Sequence, residues 1–135
     1  MIVVDASVWV AWLTASDAHH AQSRAWLATW LDRSRTLTTP ELAIVEVAGA
    51  IARRSGRPEL GRRAAAAVMA CPSLDVYRME AHDVRLATTL AADRRLRGAD
   101  AIYVALAQAL DLPLVTWDAE QIENSRGLVE AHRPT

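Results

Sequence analysis

Ile2-Val3-Val4-Asp5-Ala6-Ser7-Val8 and Leu112-Pro113-Leu114-Val115-Thr116-Trp117-Asp118 carry the fold of this chain. Each holds a short apolar run that leads into an aspartate. An apolar run without alternation marks a strand buried on both faces, as in a parallel sheet. Between the two runs the pattern is mostly helical. Helices are expected over Ser7–Leu13 with Ser7 as N-cap, over Ala18 to about Arg33, and from Thr39-Pro40, as N-cap and first-turn proline, to about Ser55 before Gly56. Three more are expected from Arg57-Pro58 to about Ala70, over Glu80–Leu96, and over Ala99–Leu110 after Gly98. Shorter β-rich segments are Thr36-Leu37-Thr38, the alternating run Leu74–Met79, and Leu128-Val129-Glu130. Strands alternating with helices predict an α/β fold, a three-layer α/β/α domain with a short, mainly parallel central sheet. Ligands bind such sheets beyond the carboxyl ends of the strands, where the chain direction splits. Asp5 and Asp118 both satisfy that rule.

The 135 residues predict one domain spanning 1–135. A chain of this length buries roughly two-thirds of its unfolded surface and folds without a disulfide or metal staple. Apolar residues make up 52% and charged residues 23%, which excludes disorder. All 15 basic residues are Arg. The absence of Lys removes a P-loop lysine, a Schiff-base lysine and a lysine-completed phosphoaspartate pocket. Cys71 stands alone, which excludes an internal disulfide and a Cys-rich zinc site and fits a small core residue. His19, His20, His82 and His132 show no metal-ligand spacing. No run reaches the roughly 18 apolar residues of a membrane span, and no basic region precedes the first apolar run as in a signal peptide. A cytoplasmic protein is therefore expected.

The formal net charge of −1 conceals clustered Arg residues at Arg53-Arg54, Arg57, Arg62-Arg63 and Arg94-Arg95 with Arg97. They suit solvated helix ends as well as phosphate contacts. If four of the acids are held around cations, the rest of the chain is net positive. Trp9 and Trp12, and likewise Trp26 and Trp30, lie one helical turn apart and suit either core packing or a groove for a protein partner.

Four acids stand in unusual places. Glu46 interrupts the apolar run Leu42–Ile51, where an unpaired carboxylate is costly and needs a cation, a strong donor or a shifted pKa. Asp100 opens a helix that continues almost wholly apolar, and Asp5 and Asp118 follow buried strands. Individually each has an ordinary explanation: an Arg partner for Glu46, a first-turn acid at Asp100, a strand-to-helix turn at Asp5, an N-cap at Asp118. Brought together at one sheet end, they would repel by roughly 3 kcal/mol per close pair. A cation relieves that repulsion, and an all-oxygen ligand set favours Mg²⁺ or Mn²⁺.

Four segments in order, Ile2–Val8, Ile44–Ala48, Gly98–Ala107 and Leu112–Asp118, resemble the PIN-domain nucleases, specifically the small VapC-type toxins of bacterial toxin–antitoxin pairs. The resemblance covers nearly the whole chain. It implies that Asp5, Glu46, Asp100 and Asp118 form a catalytic and metal-binding quartet, with Ser7 and Thr116 as supporting hydroxyls. Glu41, one turn before Glu46, is set aside because a first-turn acid has a dipole reason to be there. The resemblance further implies an Mg²⁺-dependent endoribonuclease, with Mn²⁺ as a substitute, an RNA substrate, a cognate antitoxin and a homodimer. Two alternatives remain, a non-catalytic PIN-like module that binds RNA or protein and a housekeeping RNA-processing nuclease. A receiver-like domain is disfavoured by the missing Lys and by Asp5-Ala6-Ser7, where a second Asp would be needed.

Overall fold

The computed structural model describes all 135 residues. Five strands, β1 (Ile2–Val4), β2 (Leu37–Pro40), β3 (Leu74–Tyr77), β4 (Leu114–Val115) and β5 (Ala131–His132), form one sheet in the order β3-β2-β1-β4-β5. Every pair is parallel; Val3, for example, sits opposite Thr38 on one side and Leu114 on the other. β1, β2 and β4 are fully buried, as the unbroken apolar runs of β1 and β4 require and despite Thr38 and Thr39 in β2, whereas β3 is an edge strand whose Asp75 and Val76 are exposed.

The helices are α1 (Ala6–Leu13), α2 (His20–Asp32), α3 (Glu41–Ser55), α4 (Pro58–Met69), α5 (Ala81–Arg94), α6 (Gly98–Leu110) and α7 (Ala119–Asn124). Right-handed crossovers from β1 to β2 to β3 run one way along the sheet, and those from β3 to β4 to β5 run back. The two sets of connecting helices therefore fall on opposite faces, giving the three layers. Consistent with this, α1 packs on α2 and α3, and α3 on α4, while α5 packs on α6, which crosses β1, β2 and β4. The reversal places the switch point between β1 and β4.

Several boundaries differ from expectation for local reasons. Asp5, not Ser7, caps α1, accepting from the Ser7 backbone N–H at 2.8 Å. Thr39 does not cap α3; it lies in β2, its hydroxyl donating to the Val4 carbonyl at 2.7 Å, and Pro40 occupies the cap position. α5 stops before Leu96 because Arg95 takes a left-handed conformation, with φ of 56°. The last strand lies at Ala131–His132 rather than at Leu128–Glu130, because Leu128 and Val129 fold back to donate to the Ser125 carbonyl. β4 is also shorter than the run Leu112–Thr116 that contains it.

Trp9 and Trp26 are buried in the core, with Trp12 and Trp30 packed against it, so both tryptophan pairs serve packing. Cys71 is a buried free thiol.

Candidate active site at the carboxyl end of the sheet

The site begins with backbone geometry. β1 and β4 run side by side and end together, so Asp5 and Thr116 emerge next to each other, joined by the Asp5 N–H to Val115 carbonyl bond at 3.0 Å. Asp5 is only 6% exposed. Its Oδ2 accepts from the Ser7 N–H at 2.8 Å and from the Thr116 hydroxyl at 3.2 Å. The Thr116 proton is thereby committed to Asp5, so its oxygen serves only as an acceptor, from the Asp118 N–H at 3.0 Å and from the Ser7 hydroxyl at 3.3 Å. Ser7 Oγ in turn accepts from the Trp117 N–H at 3.0 Å. Two hydroxyls thus knit the first and fourth strand ends into one rigid unit.

The other acids arrive from helices. Asp100 sits in the first turn of α6, and Asp118 caps α7 through Oδ1, which accepts from the Glu120 and Gln121 N–H groups at 2.9 and 3.1 Å. Glu46, half-buried on α3, receives a short hydrogen bond from the Tyr103 hydroxyl. Its partner is a phenol, not an Arg. Glu41 is exposed and faces a separate apolar hollow with Val45, Met69 and Val76.

The electrostatics tie these residues together. Burial raises the Asp5 carboxyl above its usual range, although its hydroxyl and amide donors, including Gln121, oppose the rise. Burial also raises Glu46, opposed by Tyr103 and reinforced by the charge of Asp5. Asp100 is pushed up to about 6 by burial and then by Asp118, with Asp5 and Glu46 adding to it and Arg97 opposing. The phenol of Tyr103, 1% exposed, is held far above its usual range by burial and by Asp5 and Glu46.

Arg97 stands between two of the acids. Its Nε lies 3.2 Å from Asp100 Oδ2 and its Nη2 lies 2.8 Å from Asp118 Oδ2, with Glu120 3.8 Å away. No three of the chain's Asp, Glu, His and Cys side chains make a ready-formed metal cage. Asp5, by contrast, has hydroxyl and amide partners and no cation. A buried carboxylate without a counter-charge, next to Glu46 and Asp100, fits a divalent ion with oxygen ligands.

A groove of about 750 Å³ opens from this end, lined by Ser7, Glu46, Arg53, Arg97, His19 and Trp117 among others. Of the Arg clusters, only Arg53, Arg54 and Arg97 face it. Arg57 pairs with Glu59, and Arg94 donates to the Arg126 carbonyl.

Residues 2–126 match the model of the PIN domain. The chain belongs to the PIN domain family. No curated protein matches the sequence. Among solved structures, this PIN domain resembles Mycobacterium tuberculosis VapC20, described as a toxin that cleaves the sarcin-ricin loop, with a TM-score of 0.77, 22% identity, and coverage of 96% of this chain and 98% of the other. It also resembles VapBC2 of Rickettsia felis bound to a promoter DNA fragment, with a TM-score of 0.75, 13% identity and 98% coverage of both chains. DNA-bound VapBC of Salmonella typhimurium gives 0.71 and 16%, with 100% coverage of both. At these identities the likeness is one of fold.

Tyr103 and Gln121 escaped the sequence reading. Tyr103 lies three residues after Asp100, on the same face of α6, and that spacing was its only available signal.

Proposed function

We propose that this PIN domain is an Mg²⁺- or Mn²⁺-dependent endoribonuclease acting as the toxin of a toxin–antitoxin pair. One observation carries the reading: Asp5, a carboxylate 6% exposed and without a cationic partner, shares the switch-point end of a parallel sheet with Glu46, Asp100 and Asp118. The similarity to VapC structures supports the toxin assignment. Asp5, Asp100 and Asp118 would hold the ion, with Glu46 as a further ligand or as the group that orients the attacking water. When bound, the ion lowers the pKa of water and stabilises charge at the scissile phosphate. The Ser7 N–H and the Thr116 hydroxyl hold the Asp5 carboxylate in place, and the Tyr103 hydroxyl does the same for Glu46. The exposed apolar residues Val45, Met69 and Val76 support protein partners, the antitoxin and a second copy of the chain.

The test is cleavage of a labelled RNA panel by the purified chain in Mg²⁺, in Mn²⁺ and in EDTA. Metal-dependent cutting is expected. Asp5→Asn and Asp100→Asn should each lower it by more than the roughly 10–100-fold expected of an outer-shell partner. Arg97, which already balances Asp100 and Asp118, is the observation that favours a binding-only module. Calorimetry with Mn²⁺ separates the two: heat of binding lost in Asp5→Asn supports the enzyme, and no binding removes it.

A further inference from the structure

Trp117 is fixed through both its backbone and its ring. Its backbone N–H donates to Ser7 Oγ at 3.0 Å, within the network that holds Asp5, and its ring N–H donates to the buried Ser23 Oγ at 2.9 Å. On its face lies the imidazole of His19, with ring centroids 3.9 Å apart and planes within 7° of parallel. His19 is positioned independently by its backbone. Its N–H donates to Asp17 Oδ1 at 2.9 Å, and Asp17 Oδ2 accepts from Arg54 of α3 at 2.8 Å. The His19 side chain makes no cap hydrogen bond to α2.

Both rings line the groove that leads to Glu46 and Arg97. Arg53 also lines it, and its Nη1 would stand 3.0 Å from a Cβ placed on Gly49, so the guanidinium folds back over Gly49 toward the Glu46 turn of α3. The groove therefore joins a flat, preordered aromatic surface, a guanidinium and a carboxylate end. Stacking of bases on aromatic rings beside a basic track is how single strands are held without sequence readout.

We propose that the His19 ring, backed by Trp117, is a stacking platform for one nucleobase of a single-stranded RNA, seating the chain so that its phosphates run past Arg53 to the carboxylates. This assignment rests on the nuclease reading above and names a substrate-positioning residue for it.

The test uses two fluorescein-labelled probes of equal length, an oligoadenylate and an abasic ribose-phosphate chain, titrated by anisotropy in chelator so that neither is cut. Wild type should prefer the oligoadenylate by about tenfold, the order expected of one stacked base. His19→Ala should abolish the preference while leaving abasic binding and its salt dependence unchanged, and His19→Tyr should restore it. A purely structural role for His19 would weaken both probes alike. His19→Ala binding the oligoadenylate as wild type does, or wild type binding both probes equally, would overturn the platform. Wild-type RNA cleavage in Mn²⁺, run in parallel, separates the failures. Cutting without a His19 effect sinks only the platform, whereas a chain that neither binds nor cuts sinks both.

Discussion

Thr116 shows how much one buried hydroxyl can organise. It is 0% exposed, donates to Asp5 and accepts from Asp118 and Ser7. Thr116→Val keeps the shape but strips a donor from a buried carboxylate and an acceptor from the Asp118 N–H. The expected cost is about 1–3 kcal/mol in denaturant unfolding, with Mn²⁺ affinity falling roughly 10–100-fold. Arg97 acts in the opposite sense, because an ion entering between Asp100 and Asp118 must displace its guanidinium. Arg97→Gln should therefore tighten Mn²⁺ binding severalfold by calorimetry; weaker binding would make Arg97 a helper of the ion. Asp100 supplies a pH signature. Its folded pKa of about 6 lies above the reference value of 3.8, so the folded state binds its proton more tightly. Its contribution to stability thus falls as pH rises from about 4 to 6 and stays low above. In the metal-free chain, Asp100→Asn should match wild type near pH 4 and exceed it at pH 7. The gain should be roughly 1 kcal/mol after allowance for partial exposure, read from melting temperatures across that range.

At the scale of elements, the placement of Glu46 depends on how α3 packs against α4. Gly61 of α4 sits against α3 so closely that a Cβ there would meet the Ala48 carbonyl oxygen at 2.4 Å and Ala52 Cβ at 3.0 Å. Gly to Ala in a helix ordinarily stabilises by about 1 kcal/mol. Gly61→Ala should instead destabilise by about 1–3 kcal/mol, because backbone rather than a flexible side chain blocks the methyl. It should also weaken activity by moving the Glu46 helix; an unchanged melting temperature would mean that the pair separates easily. α7 makes a related point. Its N-cap is Asp118, so one carboxylate oxygen organises the helix start while the other faces Arg97. The capping role and the site role were competing explanations in the sequence, and the two oxygens allow both.

For the whole molecule, the proposed cation site predicts that a bound divalent ion offsets the burial and mutual repulsion of the carboxylates at the end of the sheet. Millimolar Mn²⁺ should raise the melting temperature of wild type relative to chelator, by an amount equivalent to about 2.7 kcal/mol at a hundredfold excess over Kd. Asp5→Asn should lose most of that rise. Binding to Asp5, Asp100 and Asp118 would also require ionised carboxylates, so with Mn²⁺ present stability should climb with pH over the window in which Asp100 alone makes it fall.

The local sequence determined the elements that use strong, short-range physics. β1 and β4 were legible because burial on both faces demands unbroken apolar runs, α3 ended at Gly56 because φ of 67° suits glycine, and the four acids stood out because their surroundings are apolar. The cap of α3 and the position of β5 were not legible, since each depends on a hydrogen-bond partner distant in sequence or on a competing turn. Val4 claims the Thr39 hydroxyl, and Ser125 claims the N–H groups of Leu128 and Val129. Only the tertiary structure could decide that Tyr103 rather than an Arg meets Glu46, that Arg97 divides Asp100 from Asp118, and that His19 lies on Trp117, 98 positions away in the chain. Periodicity records which side of an element is buried; it carries no information about which side chain from another element arrives there.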